Sequence, residues 1–446
     1  MITTLLIIFI VGYILIASEH VLSVNKATFA LIMCGLLWAV YSLCSHDPNI
    51  SSEMVEALGD TCEIVVFLIG AMTIVELIDR YGGFRILIDK IHASNKRSLM
   101  WILALVAFFL SAVLDNMTTT IIMVMMLRRM LSDQKERWTF ACIIVLAANA
   151  GGAWSPIGDI TTIMLWMKNY VSSVDLIMNL LLPSLVSVIV PVFLASRMIP
   201  AAPMEERNHQ DTRIGYDLSK EHRSLSKLIL WCGVAGLLFV PVFKAVTHLA
   251  PYMGILLSLG VLWLLTEILV RHYKLDGKIE GRISQVMRNI DMSTILFFLG
   301  ILMSVSALSQ AGILGELAAW LNDTFHNVYA INGIIGILSS IVDNVPLVAA
   351  CMEMYPVAND AMIAAASDPA YTSLFIEDGL FWHLLTFCAG VGGSMLIIGS
   401  AAGVVAMGIE KIPFMWYLKR ITWLAFTGYV AGMIIIWLET LFLPHF

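Results

Sequence analysis

Apolar residues in this chain come in long unbroken runs rather than in the alternation of a half-buried helix or strand. Runs near the length of a bilayer-spanning helix, about 20 residues, fall at 2–18, 27–43, 61–78, 140–166, 176–196, 228–248, 253–270, 293–311, 381–409 and 421–443. Two further apolar blocks, 98–130 and 328–355, are each cut near the middle by an Asp-Asn pair. The first reads Ser111-Ala-Val-Leu-Asp115-Asn116-Met-Thr118-Thr119-Thr120, and the second Ser339-Ser-Ile-Val-Asp343-Asn344-Val-Pro346. Both place a carboxylate and an amide where the surrounding pattern calls for hydrocarbon. The pattern predicts an all-α polytopic membrane protein.

Positive charge orients the spans. If they alternate in direction, all of the 26 lysines and arginines except Lys168 and Lys244 fall on one side, which marks that side as cytoplasmic. The alternation holds only if the two cut blocks do not cross. Lys96 and Arg97 stand at one end of block 98–130 and Arg128 and Arg129 at the other, so the block reads as a re-entrant hairpin from the basic side. Its second arm, 117–127, makes about 16 Å of helix, roughly half of a ~30 Å hydrocarbon core. Asp115-Asn116 is therefore predicted near the midplane. Block 328–355 has no basic residue at either end and runs into an acidic loop with Asp360, Asp368, Glu377 and Asp378, so it is predicted to enter from the other side.

The same elements recur in order. Phe67-Leu-Ile-Gly70 matches Phe297-Phe-Leu-Gly300, Asp115-Asn116 matches Asp343-Asn344, and Gly151-Gly-Ala-Trp-Ser155-Pro-Ile-Gly158-Asp159 matches Gly392-Gly-Ser394-Met-Leu-Ile-Ile-Gly399-Ser400. Hairpins entering from opposite faces make the repeat inverted. The expectation is one repeat over 1–199, with a hairpin at 98–130 and a broken span at 140–166. A second covers 228–446, with a hairpin at 328–355 and a broken span at 381–409. Each has five spans and one hairpin, a polar cytoplasmic linker at 200–227 joins them, and both termini are predicted on the non-cytoplasmic side.

Composition narrows the class. Of 446 residues, 59% are hydrophobic and 13% charged, too little polar surface for a soluble fold. No basic stripe suggests nucleic acid. The seven cysteines include no C-x-x-C pair and read as packing residues, and no H-E-x-x-H helix is present. His383 reads as a packed or interfacial side chain.

Candidate chemistry gathers at the interruptions. Gly151, Gly152, Pro156 and Gly158 are poor interior helix residues, so the span should unwind there. Inside a membrane, irregular backbone is tolerated where it is buried in protein or lines a wet cavity. Asn149, Ser155, Asp159, Thr161 and Thr162 offer hard oxygen ligands at this break, and Ser394 and Ser400 offer hydroxyls at the matching one. The second repeat lacks a carboxylate there, which predicts an asymmetric site weighted toward the first. Asp115, Asp159 and Asp343 are expected around one cavity, where Na+ and protons compete for the same oxygens. Each Asp-Asn pair also suits the N-cap of a second hairpin arm. The threonine triplet is expected to bond back in part to helix carbonyls. Ser111 and Ser339 precede the tips, and Glu76, within the third span, is a candidate for a proton path.

Asp115-Asn116 with its threonines, the stretch 149–162, and Asp343-Asn344-Val-Pro346 resemble the signature segments of NhaD-type sodium/proton antiporters. These belong to the ion transporter superfamily, with arsenite permeases and divalent anion/sodium symporters. The likeness runs from about 27 to 443. It implies an elevator-type inverted-repeat fold, a homodimer in the inner membrane, no cofactor, and export of Na+ or Li+ in exchange for protons. It implies Na+ ligation by Asp115, Asn116, Asp159, Asp343 and Asn344, with function also on Ser111, Thr118, Asn149, Thr161, Thr162, Ser339 and Ser394. The dicarboxylate transporters of the superfamily carry Ser-Asn-Thr at each tip, whereas two tip aspartates would repel an anionic substrate at low dielectric. Two alternatives stay open. Arsenite efflux could use Cys351 and Cys388, and Gly158-Asp159 resembles half of an intramembrane aspartyl protease dyad, although the partner Tyr-Asp segment is missing.

Overall fold

The computed structural model describes residues 1–22, 24–45, 48–88, 93–199, 223–272 and 286–442. These residues are helical throughout, without a β-strand. Among the described residues, seven helices are long and apolar enough to cross a membrane. They are Lys26–Ser45, Ile50–Arg80, Ser173–Met198, Arg223–Thr247, Pro251–His272, Met292–Gln310 and Thr422–Phe442. Their outer faces expose Ile32, Met178, Val242, Leu264 and Trp437. Such a surface needs hydrocarbon around it, and the protein is a multi-pass membrane protein.

The remaining apolar runs depart from simple spans for reasons written in their sequences. The run at 140–166 is Gln134–Ala153 followed by Ile160–Met167, and the run at 381–409 is Leu380–Gly392 followed by Ala401–Glu410. Each stops at its Gly-rich segment and restarts at a cap. The run at 2–18 forms the 16-residue helix Ile2–Ala17, shorter than the full span expected. The cut blocks are helix pairs, Lys96–Ser111 with Asn116–Met130 and Val328–Leu338 with Asn344–Met354. Most of the expected linker, 200–222, lies outside the described residues, and a helix already begins at Arg223.

Packing follows a reciprocal pattern. The first arms Lys96–Ser111 and Val328–Leu338 lie against Gln134–Ala153 and Leu380–Gly392 of their own halves. The second arms cross over: Asn116–Met130 packs on Ala401–Glu410, and Asn344–Met354 on Ile160–Met167. The outer spans exchange in the same way, Lys26–Ser45 with Met292–Gln310 and Pro251–His272 with Ile50–Arg80. Ser173–Met198 and Thr422–Phe442, which follow the two broken spans, pair with each other.

Close approach of hairpin and broken span depends on two glycines. A Cβ on Gly151 would overlap the Phe108 carbonyl, and one on Gly392 would overlap the Gly336 carbonyl. Both obstacles are backbone, which cannot swing aside as a side chain can. Another tie joins the halves at the far end of the second arm. Glu410 is fully buried, and its carboxylate accepts from Arg128 Nε at 2.7 Å and from Arg137 Nε at 3.0 Å. Its carbonyl accepts from Gln134 Nε2 and Trp138 Nε1. Two guanidinium groups thus compensate one desolvated carboxylate, which would be costly to leave unpaired.

Gly151→Ala and Gly392→Ala are each expected to lower stability by at least ~1–3 kcal/mol, the usual cost of overpacking. Gly408→Ala, where nothing lies within 4 Å of the added Cβ, is expected to be neutral or slightly stabilising. Thermal unfolding of the purified variants in detergent checks this. Equal melting shifts at all three positions would refute the packing account.

Candidate ion-binding site

Each interruption ends in a side chain that caps the helix beyond it. Asp115 accepts from the Thr118 backbone N–H at 2.6 Å and from the Thr118 hydroxyl at 2.7 Å. Asp159 accepts from the Thr161 backbone N–H and hydroxyl, both at 3.1 Å, and the Thr162 hydroxyl completes a capping box on the Asp159 N–H. Asp343 accepts from Val345 N at 3.5 Å, and Ser400 from Gly403 N at 3.1 Å. Helices that restart at depth thus meet their first N–H groups with a side chain instead of water.

These breaks converge on one buried network. Asn116 Nδ2 donates to Asp159 Oδ2 at 2.6 Å and to Asn149 Oδ1 at 3.1 Å. Asn344 Nδ2, from the second tip, reaches the same Asp159 oxygen at 3.4 Å. Asn149 Nδ2 donates to Ser394 Oγ and Ser400 Oγ, each at 2.8 Å. Asp159, Asn149, Ser394 and Ser400 are all at most 2% exposed. Asp159 is therefore a buried carboxylate held by two side-chain amides from different hairpins and by a threonine.

The tip serines have a different task. Ser111 donates to the Ala148 carbonyl at 2.6 Å, Ser339 donates to the Ala389 carbonyl at 2.7 Å, and Ser155 donates to the Ala112 carbonyl. Ser111 and Ser339 fasten the tips to the broken helices, and Ser155 fastens an unwound segment to the first tip. Tyr417 donates to the Ser394 carbonyl at 2.6 Å and steadies the second break.

The three aspartates expected around one cavity have separate surroundings. Asp159 sits in the network, Asp115 turns to Thr118, and Asp343 accepts from Lys26 Nζ at 2.8 Å. A cavity of about 230 Å³ reaches Asp343, Ser400 and Met117 but is not lined by Asp115 or Asp159. Glu76 lies apart, bonded to Arg80 one turn away at 2.9 Å. The expected back-bonding of the threonine triplet fails for Thr119 and Thr120, whose buried hydroxyls have no hydrogen-bond partner. His383 is buried as expected, with Nε2 3.0 Å from Asp175 Oδ2.

Lys26 and Glu410 were not candidates on the sequence. Lys26 reads there as one more positive residue on the basic side, and Glu410 stands in no motif. Their partners are 317 and 282 residues away, so no local pattern could have paired them.

Comparison with known proteins identifies the family. The family profile described as citrate transporter matches residues 5–376. "Sodium/proton antiporter 2" of Arabidopsis thaliana is 43% identical over 426 residues, covering 96% of this chain and 97% of that protein. "Na(+)/H(+) antiporter NhaD" of Vibrio cholerae is 32% identical over 464 residues, covering 96% of this chain and 90% of that one. The chain belongs to the citrate-transporter family, among its NhaD-type members. A further NhaD, from Halomonas elongata, is 30% identical over 466 residues. The NhaD-type relatives are named as antiporters, and the chain is a secondary transporter rather than an enzyme.

The asymmetry of the network gives a direct test. Asp159→Asn is expected to bring Na+-driven exchange down to the rate of empty liposomes. Ser400→Ala removes a cap and one acceptor, worth ~1 kcal/mol, and is expected to keep exchange within about fivefold of wild type. Equal loss in the two variants, measured as proton flux in proteoliposomes, would refute the weighting toward the first half.

Proposed function

We propose that this protein is a secondary active antiporter that exports Na+, and Li+ with it, in exchange for protons across the inner membrane. The observation that carries this reading is the Asp159 network, a buried carboxylate surrounded by rotatable amides and hydroxyls from both halves of the chain. A partly dehydrated alkali cation needs several hard oxygens and a balancing negative charge. Asp159 supplies the charge. Rotating Asn116 and Asn344 about Cβ–Cγ exchanges their N–H donors for carbonyl oxygens, which turns a cradle for a carboxylate into a set of cation ligands. Thr161 and Asn149 add oxygens at the same place. A proton on the same carboxylate removes the charge that holds the cation, and this competition is the basis of exchange.

The reciprocal pairing of hairpin arms and half-helices, with the matching Gly151/Phe108 and Gly392/Gly336 contacts, supports two inverted repeats with re-entrant hairpins. In this reading the four interruptions move together against the outer spans in an elevator-type transition. By the bias of lysine and arginine both termini lie on the non-cytoplasmic side, and the protein works as a homodimer, as the family resemblance implies.

The alternatives lack support from the site. A citrate-like substrate would approach tip carboxylates of its own sign. Neither Cys351 nor Cys388 lines the cavity, and the Cys388 thiol faces Met433 Sδ at 3.2 Å, so nothing presents thiols to arsenite. Aspartyl protease chemistry needs two carboxylates sharing a proton, whereas the hydrogen-bond partners of Asp159 are amides and a threonine.

The deciding experiment uses proteoliposomes with an acidic lumen. External NaCl or LiCl is expected to dissipate the pH gradient, and choline chloride is not. Asp115→Asn keeps an oxygen for the Thr118 cap while removing the charge, so its exchange rate reports on the charge. At least a tenfold fall is expected. No response to Na+ or Li+ from folded wild-type protein would overturn the antiporter reading.

A further inference from the structure

Asp343 differs from the other tip aspartate in having a cationic partner from a distant part of the chain. Lys26 Nζ lies 2.8 Å from Asp343 Oδ2, and the two side chains are only 24% and 18% exposed. The ammonium also stands 4.1 Å from the centroid of the Phe297 ring, a cation–π contact. Lys26 begins Lys26–Ser45, a helix packed on Met292–Gln310 and Ile2–Ala17. Asp343 caps the second hairpin arm, and its neighbour Asn344 reaches into the Asp159 network. The ion pair therefore links the outer helices to the element that carries the candidate ion site. Both partners line the 230 Å³ cavity, together with Asp291, Thr294, Met117 and Ser400.

An ammonium on a short carboxylate contact occupies the place that a small inorganic cation would take. We propose that Lys26 is a tethered competitor of the transported cation: its ammonium occupies a second cation position, at Asp343 next to the Asp159 network, and latches the second hairpin to the outer helices until Na+ displaces it or a proton neutralises Asp343. This inference rests on the Na+/H+ exchange reading above. Its consequence for transport is that an empty site stays latched, while a loaded one is free to move. A closed latch withdraws sites from the binding-competent population, so the apparent Na+ affinity is reduced by the fraction of time the latch is open. If it is open about one-fifth of the time, removing the ammonium tightens apparent Na+ binding about fivefold.

The first test needs no variant. A water-soluble carbodiimide joins an amine and a carboxylate in direct contact, with loss of water, and mass spectrometry of the digested protein identifies the Lys26–Asp343 amide. Cross-linking is expected in choline chloride and is expected to be suppressed by NaCl at equal ionic strength. Absence of the cross-link, or equal yield in both salts, overturns the latch. The second test reads the Na+ concentration for half-maximal exchange. Lys26→Gln is expected to lower it about fivefold, and Lys26→Arg to return it toward wild type. An unchanged or raised value in a monodisperse Lys26→Gln preparation also overturns the proposal. Loss of the antiporter reading looks different: wild-type protein then fails to exchange Na+ for protons, while the cross-link and its response to NaCl still report on the latch.

Discussion

A helix that stops inside a bilayer leaves N–H and C=O groups with no water to take them, and the interior of this protein is arranged around meeting that demand at four places. Asp115, Asp159, Asp343 and Ser400 each receive N–H groups of the helix that restarts beyond them. Ser111 and Ser339 fasten the tips by donating to carbonyls of the facing broken helix. These contacts require the two backbones to meet almost without side chains between them, which only glycine at 151 and 392 allows. The polar residues at the breaks are thus part of the fold before they are part of any site.

What surrounds each buried carboxylate separates their roles. The Glu410 carboxylate lies between two guanidinium groups, a fixed arrangement that ties the second half-helix to the first hairpin. Asp343 has one flexible lysine, whose single ammonium can be exchanged for another cation. Asp159 is held by amides and a threonine, dipoles that reverse by rotation at little cost. Charge neutralised by fixed cations suits a structural tie, whereas charge held by reorientable dipoles suits a site that must accept and release an ion. Asn149 connects the last arrangement to both halves, because its carbonyl serves Asn116 and its amide serves Ser394 and Ser400.

Much of this was legible along the chain. Span positions follow from the length of apolar runs, a one-dimensional property set by the thickness of a bilayer. The breaks follow from Gly and Pro, whose effect on a helix is local. The Asp-Asn tips stand out because a carboxylate in hydrocarbon is costly wherever it lies in the fold. The shorter first helix and the unpartnered hydroxyls of Thr119 and Thr120 departed from expectation. For the threonines, back-bonding is a preference that the position of neighbouring helices can override.

The sequence thus sufficed for the membrane class, the broken spans and most residues of the network, since each reflects chemistry within a few neighbours. Partnership did not emerge from it. Asp115 finds its threonine cap within the next turn, but the amide cradle of Asp159 and the lysine at Asp343 arise only when segments up to 317 residues apart are brought together. Hydrogen bonds and ion pairs act over a few ångströms, so the groups that face a carboxylate are set by helix packing in three dimensions and leave no trace in spacing along the chain.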